Sequence, residues 1–277
     1  MLLPRFLTTL VGVPLLILTI WWGQIPFLIF VFGIVLLALY EYYNLAELGN
    51  IPVFKSLGLF CGALFSIGIG LLGTSIVEMK GVSFKSIFLP FILAVILVLF
   101  SLISFFSRKK ENAFTGLSIM WFGNFYVVWP LSHLYLIRDL KPNGLYFTFF
   151  LFFVIWALDI GAYLGGIRFG KRRMSEYISP KKTWEGATVG SLFALGVAWV
   201  CNTAFSNFLD LKHMLLLATL IILVAQISDL SESLFKRNVG VKDSGALLPG
   251  HGGILDRFDS FLLTTPIYYY VISFFIL

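Results

Sequence analysis

Long apolar runs are the feature that most constrains how this chain can fold. A helix needs about 20 apolar residues to cross the hydrocarbon core of a bilayer, and the run Phe6–Tyr43 is nearly twice that length. Gly23, Gln24 and Pro26 interrupt the run near its middle, so we interpret it as two membrane helices joined by a tight turn. With 59% hydrophobic and only 12% charged residues, the chain departs from the composition of soluble domains.

Further apolar segments follow along the rest of the chain. They are Leu57–Leu72, Ile87–Phe106, Leu117–Ile137, Leu145–Gly166, Val189–Phe205, Leu215–Ile227 and Phe261–Leu277. Together with the first two helices, they predict an all-α polytopic membrane protein with about nine transmembrane helices.

The basic residues predict how these helices are oriented. With nine spans the termini lie on opposite sides, and a cytoplasmic N-terminus places fifteen of the 20 Lys and Arg residues in cytoplasmic segments. This bias follows the positive-inside rule, so we expect the C-terminus outside. A net charge of +6 could suit nucleic acid or anionic lipid, but in a membrane protein we expect membrane lipid and no nucleic acid.

The two parts of the chain differ in their polar segments. Residues 1–137 have short loops and few polar residues within spans, so we expect an accessory or dimerisation role. Residues 138–277 contain two long hydrophilic segments, 167–187 and 229–259, and both fall on the predicted cytoplasmic side. We therefore expect any chemistry in this second region, at the cytoplasmic face.

Acidic residues occur at the ends of two consecutive predicted helices. If the helix ending near Ile227 continues, its next residues form one polar stripe at spacings i, i+3, i+4 and i+7: Asp229, Glu232, Ser233 and Lys236. Asp256 and Asp259 likewise share a face before the last span. Clustered carboxylates at a membrane boundary are costly unless a cation neutralises them, and oxygen ligands suit Mg²⁺. Alternatively, these are solvated charges paired with Lys236 and Arg237.

A glycine-rich segment separates the two acid pairs. It runs from Lys242 and Asp243 to Gly252 and Gly253. Glycines let backbone N–H groups approach an anion closely, and Lys236, Arg237, Lys242 and Arg257 supply positive charge around it. The pattern favours a phosphate-binding loop, with an ordinary surface turn as the alternative. His251 lacks the partners for a zinc site; we assign it a role in phosphate binding or in supporting the residues that bind the metal.

The other hydrophilic segment contains a second candidate for phosphate binding. Lys181 and Lys182 lie beside Ser179 and Thr183, followed by Glu185. These lysines could grip a phosphate chain or attract anionic lipid non-specifically. Asp159 lies inside an apolar span, which makes it a functional candidate or a hydrogen-bonded structural residue.

The second region resembles the signature of the phosphatidate cytidylyltransferases, also called CDP-diacylglycerol synthases. The matching residues are Ser233–Arg237, Lys242–Gly245 and Leu248–Asp259, at fixed spacing over 27 residues. The segments 159–163 and 179–186 and the nine-span plan are also similar to that family. One departure is Ser228, where many members carry glycine.

The resemblance implies a reaction, a cofactor and a location. CTP and phosphatidic acid would give CDP-diacylglycerol and pyrophosphate with Mg²⁺, and a second cation stays open. The resemblance also implies a homodimer in the cytoplasmic (inner) membrane. It makes Asp229 and Asp256 the essential acids.

These considerations assign a role to each candidate residue. We expect Asp229 and Asp256 to ligate metal directly, with Glu232 and Asp259 as further ligands. The expected catalytic set also includes Lys236, Arg237, Lys242 and Asp243. The expected substrate-binding residues are Asp159, Ser179, Lys181, Lys182, Thr183, Glu185, His251, Gly252, Gly253 and Arg257. An ion-coupled membrane transporter is the alternative function, because polar residues within spans and a cation site would serve it too.

Overall fold

The computed structural model describes residues 2–73, 110–247, 250 and 252–277. Among them the chain is largely helical, as predicted. The helices are α1 (Leu2–Trp22), α2 (Gln24–Leu48), α3 (Lys55–Gly73), α4 (Lys110–Gly123), α5 (Trp129–Asp139), α6 (Gly144–Phe169), α7 (Trp184–Ala204), α8 (Leu211–Asn238) and α9 (Leu255–Phe275). A π-helical segment, Asn124–Val128, joins α4 to α5.

Four of the described helices, α2, α6, α7 and α8, are long and apolar enough to cross a membrane. The predicted span Ile87–Phe106 lies outside the described residues, and the count of about nine spans stays a prediction. The predicted break in the first apolar run is confirmed: α1 ends at Trp22, α2 begins at Gln24, and Gly23 between them has a φ of 64°. A positive φ is readily adopted only by glycine.

The described residues group into two compact units, whose boundaries fall between α5 and α6 and within α8 and α9. The first consists of Met1–Asp139 and Asn238–Phe258, and the second of Leu140–Arg237 and Asp259–Leu277. Residues 238–258 group with the N-terminal helices, and the boundary predicted between residues 137 and 138 stays a prediction. The roles predicted for the two regions remain predictions.

In the first unit, α2 packs against α1, α3, α4, α5 and the π-helical segment. The core contains fully buried aromatic residues, including Phe27, Tyr43, Phe65 and Tyr135. Arg138 donates from Nε to the carbonyl of Ile20 at 2.7 Å. A cation at this position complements the negative end of α1 and ties α5 to the α1–α2 turn.

In the second unit, glycines allow α6 and α7 to pack at very close range. A Cβ atom added at Gly190 would lie 2.7 Å from the carbonyl oxygen of Leu158 and 2.8 Å from the Ala162 nitrogen. One added at Gly161 would lie 2.9 Å from the Gly190 Cα atom. Small residues spaced four apart are a common solution for membrane helix pairs. This packing fixes the ends of both helices, where candidate site residues lie.

The hydrophilic segment 167–187 contains a short β-hairpin within the otherwise helical fold. Strand β1 (Arg173–Ser175) pairs antiparallel with β2 (Ser179–Thr183). Thr183 then caps α7, since its side chain accepts a hydrogen bond from the Gly186 nitrogen at 3.1 Å. The hairpin therefore leads directly into a membrane helix and holds the residues of β2 in a defined register.

Candidate functional site

The predicted polar stripe is present on α8, because this helix continues past Ile227 to Asn238. Glu232 and Lys236 are both buried, with side chains 1% and 9% exposed, and form an ion pair at 2.5 Å. Ser233 donates from Oγ to Asp229 Oδ1 at 3.4 Å. The two side chains of the Glu232–Lys236 pair lie one helical turn apart, at the i, i+4 spacing. Lys236 is thus paired within the stripe, but the pair is buried rather than solvated.

Lys182 of β2 forms an ion pair with Asp229 of α8. The two side chains are 34% and 20% exposed, so the pair is accessible from solvent. Arg237 donates from Nε to the Ile178 carbonyl at 3.2 Å, which ties the hairpin to the end of α8. The second unit thus brings together two segments that the sequence analysis had proposed separately, the lysine-containing loop and the acidic stripe.

A third element of the second unit adds another carboxyl group. The negative charges of Asp229, Glu232 and Asp159 repel the carboxylate of Asp259 on α9. Ser228 joins α8 to α9: its Oγ donates to the Asp259 carbonyl and accepts from the Leu263 nitrogen at 3.0 Å. We call Asp159, Asp229, Glu232 and Asp259 the acidic cluster. The hydroxyl of Ser228 therefore has a packing role where the resemblance had suggested glycine.

Other predicted substrate-binding residues of the second unit have local structural partners. Glu185 accepts hydrogen bonds from the backbone nitrogens of Lys171 and Arg172, both at 3.0 Å. Thr183 caps α7, and Ser179 lies in β2. Lys181 is exposed. A shallow depression of about 510 Å³ is lined by Arg172, Trp184, Glu185 and Thr188. Substrate roles for these side chains stay predictions.

In the first unit, Asp256 contacts the glycine-rich loop, which we define as residues 240–253 and of which 240–247, 250, 252 and 253 are described. Its Oδ2 atom accepts hydrogen bonds from the Ser244 nitrogen at 2.9 Å and from the Gly253 nitrogen at 2.8 Å. Gly250 and Gly252 adopt φ values of 79° and 83°, which side chains with a Cβ rarely adopt. The Gly253 N–H, expected to bind phosphate, therefore already has an acceptor within the protein.

Glu41 of α2 is a site residue that the sequence analysis missed. Its side chain is 1% exposed, and its Oε2 atom accepts hydrogen bonds from Ser244 Oγ at 3.1 Å and from the Leu255 nitrogen at 2.8 Å. The signal was present in the sequence, because Glu41 is an ionisable residue at the end of an apolar run. The same argument was applied to Asp159 but not to Glu41.

The remaining predicted residues of the first unit are exposed or lie outside the described structure. Lys242, Asp243 and Arg257 are exposed, and Gly252 is partly exposed. His251 lies outside the described residues, so its predicted role is not addressed.

The predicted metal site is only partly addressed by these contacts. Within the described ranges, no three Asp, Glu, His or Cys side chains form a group that could hold one metal ion. Asp229, Glu232 and Asp259 belong to the second unit, whereas Asp256 belongs to the first. The assignment of these four acids as metal ligands therefore stays a prediction.

Known proteins provide an independent comparison. A family model described as the cytidylyltransferase family matches residues 3–275. The phosphatidate cytidylyltransferase of Bacillus subtilis is 32% identical over 271 residues, which cover 98% of this chain and 97% of that protein. A protein of the same name from Haemophilus influenzae is 40% identical over 132 residues, covering 46% of each chain. One from Synechocystis is 47% identical over 135 residues, covering 47% of this chain and 44% of that protein.

Proposed function

The chain belongs to the cytidylyltransferase family, and from that membership we propose that it transfers a cytidylyl group from CTP to phosphatidic acid. The products are CDP-diacylglycerol and pyrophosphate. The observation that carries the proposal is the alignment with a phosphatidate cytidylyltransferase over 98% of this chain. The comparisons give no support to the transporter alternative.

The reaction requires two anions to meet. A phosphate oxygen of phosphatidic acid attacks the α-phosphorus of CTP, a new P–O bond forms, and the bond from that phosphorus to the bridging oxygen of the β-phosphate breaks. The lipid phosphate is already ionised near neutral pH, so no general base is required. The main barrier is electrostatic repulsion, together with the charge that develops on the leaving pyrophosphate.

Basic residues are proposed to lower this barrier. Lys181, Lys182 and Thr183 would seat CTP, and Lys236, Arg237 and Lys242 would contact phosphate groups. The partial exposure of Lys182 supports this role, because a ligand can reach its ammonium group. Lys236 is buried against Glu232, so its positive charge would reach a phosphate only across or in place of that ion pair.

We also propose that the enzyme uses Mg²⁺, held by Asp229 and Asp256 with Glu232 and Asp259 as further ligands; a second cation is compatible with this proposal. The donor chemistry fits, because carboxylate oxygens suit this hard ion. The mutual repulsion of charges around Asp259 is a second point of fit, since a cation would relieve it. When bound, Mg²⁺ would supply charge neutralisation at the phosphates.

The proposed setting is the cytoplasmic membrane, with the site on the cytoplasmic face and the chain as a homodimer. The four apolar helices support the membrane location. The concentration of basic residues in segments that alternate with the predicted spans supports the orientation. The lipid tails would remain in the bilayer while the phosphate headgroup meets CTP at the boundary.

Position-specific labels test the proposed reaction. Membranes containing the protein are supplied with phosphatidic acid and with CTP labelled on either the α- or the γ-phosphate. Cytidylyl transfer predicts that the α-label enters the lipid fraction and that the γ-label leaves as pyrophosphate. Transfer of the γ-label to lipid, or no transfer of either label by well-folded protein, would overturn the proposal.

A further inference from the structure

We infer that Glu41 of α2 is a positioning residue that fixes the glycine-rich loop and, through it, the side chain of Asp256. This inference rests on the proposed function, because it assigns the loop a part in cytidylyl transfer. It gives a specific task to the N-terminal part of the chain, for which the sequence analysis expected only an accessory or dimerisation role.

Glu41 connects two points of the loop region. One oxygen, Oε2, accepts from Ser244 Oγ near the start of the loop and from the nitrogen of Leu255, the first residue of α9. These partners are 203 and 214 residues away in sequence. A single carboxyl oxygen thus holds together the two ends of a segment that is otherwise rich in glycine.

The contacts of Glu41 reach Asp256. Ser244 uses its hydroxyl to bind Glu41 and its backbone nitrogen to bind Asp256 Oδ2. Leu255, which binds Glu41, directly precedes Asp256. Ser244 and Leu255 therefore connect Glu41 to Asp256. A change at Glu41 alters the placement of Asp256 through these two residues.

Two glycines, Gly245 and Gly253, leave space for the Glu41 side chain. A Cβ atom added at Gly245 would lie 2.6 Å from Glu41 Oε1, and one added at Gly253 would overlap Ser244 Oγ and Glu41 Oε2. The side chain that these two glycines accommodate is therefore Glu41. The sequence had suggested that glycines allow the loop to approach an anion, and in the first unit they approach this carboxyl group.

The burial of the Glu41 carboxyl group costs free energy. A carboxyl group that is 1% exposed loses its hydration and needs compensating hydrogen bonds. Oε2 has two donors, and the N-terminus of α9 favours an acidic group, but Oε1 has no hydrogen-bond partner among the described residues. An apolar side chain at position 41 would leave the Ser244 hydroxyl and the Leu255 nitrogen without their acceptor, so Glu41 is matched to these two donors.

Two substitutions separate positioning from packing. Glu41→Leu keeps the side-chain volume but removes both acceptors, and Glu41→Gln keeps one oxygen that can accept from Ser244 and Leu255. Glu47→Leu is the matched control, because Glu47 lies on the same helix with its side chain 49% exposed and pairs with Lys55. All variants are compared with the wild-type protein in nanodiscs containing phosphatidic acid, by CDP-diacylglycerol formation and thermal unfolding.

We predict that Glu41→Leu lowers kcat by about tenfold or more, because Asp256 is no longer held in place and small misplacements at a catalytic site have large effects on rate. Its unfolding temperature should fall by a few degrees, because the Ser244 hydroxyl and the Leu255 nitrogen lose their acceptor. Glu41→Gln should retain kcat within about threefold, and Glu47→Leu within about twofold. A Glu41→Leu variant with wild-type kcat, or a Glu41→Gln variant as impaired as Glu41→Leu, would overturn the inference.

Hydrogen–deuterium exchange provides a readout that does not depend on activity. Glu41→Leu should increase exchange in a peptide covering 240–258, whereas Glu47→Leu should not. If the wild type makes no CDP-diacylglycerol while this difference in exchange persists, the proposed function fails and the contact stands. If the wild type is active and Glu41→Leu changes neither exchange nor kcat, the positioning role fails.

Discussion

At the scale of single residues, the ion pair between Lys182 and Asp229 joins side chains that are 47 positions apart in sequence. The two side chains carry opposite charges. The Lys182 ammonium group could also bind a substrate phosphate, and the Asp229 carboxylate could also bind a cation. Binding of a CTP phosphate near Lys182, or of a divalent ion at Asp229, would replace this ion pair by another attraction between opposite charges. The positive charge of Lys182 therefore offsets part of the repulsion within the acidic cluster.

Because Asp229 is a proposed metal ligand, it should be indispensable for cytidylyl transfer. We predict that Asp229→Asn lowers turnover by at least about a hundredfold, a loss typical of removing an electrostatic catalytic group, without unfolding the protein. CDP-diacylglycerol formation by membranes with matched protein levels provides the measurement.

Asp210→Asn is the control for this prediction. Asp210 is exposed and accepts a hydrogen bond from the His213 nitrogen at 2.8 Å at the start of α8, and Asn is an equally good residue at such a position. This variant should keep wild-type turnover. If Asp229→Asn were equally active, Asp229 could not be part of the catalytic site.

Gly253 should not tolerate even one added methyl group. Because a Cβ atom there overlaps Ser244 Oγ and Glu41 Oε2, we predict that Gly253→Ala destabilises the protein by about 1–3 kcal/mol and lowers turnover at least tenfold. At Gly33 of α2, an added Cβ atom meets nothing within 4 Å. Gly33→Ala should therefore leave both properties unchanged, and equal effects of the two substitutions on the unfolding temperature would contradict this account.

Residues with a strong local signal could be predicted from the sequence, and those defined by long-range contacts could not. Asp229 was identified because clustered carboxylates at a membrane boundary are costly, and Lys182 because two lysines beside Ser179 and Thr183 could bind phosphates. Glu41 was missed because its partners, Ser244 and Leu255, are more than 200 positions away. Thr183 was assigned to CTP, but its cap on α7 became visible only once the start of that helix was known.

At the scale of secondary-structure elements, the close packing of α6 and α7 determines where the hairpin and Asp159 lie. Backbone atoms of the two helices approach so closely at Gly190 that no side chain fits. We predict that Gly190→Ala destabilises the protein by roughly 1–3 kcal/mol, because the helices must separate. Thermal unfolding in detergent provides the measurement.

Gly196→Ala on the same helix is the matched control. An added Cβ atom at Gly196 meets nothing within 4 Å, and alanine is the better helix former. This variant should be as stable as the wild type or slightly more so. A Gly190→Ala protein with an unchanged unfolding temperature would mean that the two helices do not depend on this contact.

Hydrophobic patterning predicted the helices better than it predicted the polar segments between them. The continuation of α8 to Asn238 follows from the i, i+3, i+4 spacing of its polar residues, and the structure confirms it. The β1–β2 hairpin was missed because the residues Ser-Pro-Lys-Lys-Thr of β2 show no alternation of apolar and polar side chains. Its position depends on contacts with α8, including Arg237 to Ile178.

At the scale of the whole molecule, the distribution of basic residues predicts a single orientation in the membrane. Tyr177 in the hairpin turn is 82% exposed and should face the cytoplasm. Asn207, in the turn between α7 and α8, is also exposed and should face the opposite side. The native cysteines, Cys61 and Cys201, are buried, so they should give little background labelling.

Cysteine labelling tests this orientation. A membrane-impermeant maleimide should label Tyr177→Cys in inverted vesicles and Asn207→Cys in right-side-out vesicles. Labelling of both positions from the same side would contradict the predicted topology, and with it the placement of the acidic cluster and the glycine-rich loop at the cytoplasmic face.

The most direct test of the account is CDP-diacylglycerol formation by purified Asp256→Asn protein, measured beside the wild type in nanodiscs containing phosphatidic acid, CTP and Mg²⁺. Asn keeps an oxygen that can accept from Ser244 and Gly253, so the loop should stay folded while the charge is lost. We predict product from the wild type and none from a variant of unchanged thermal stability. A wild type that forms no product, or a variant of near-normal activity, would contradict the account.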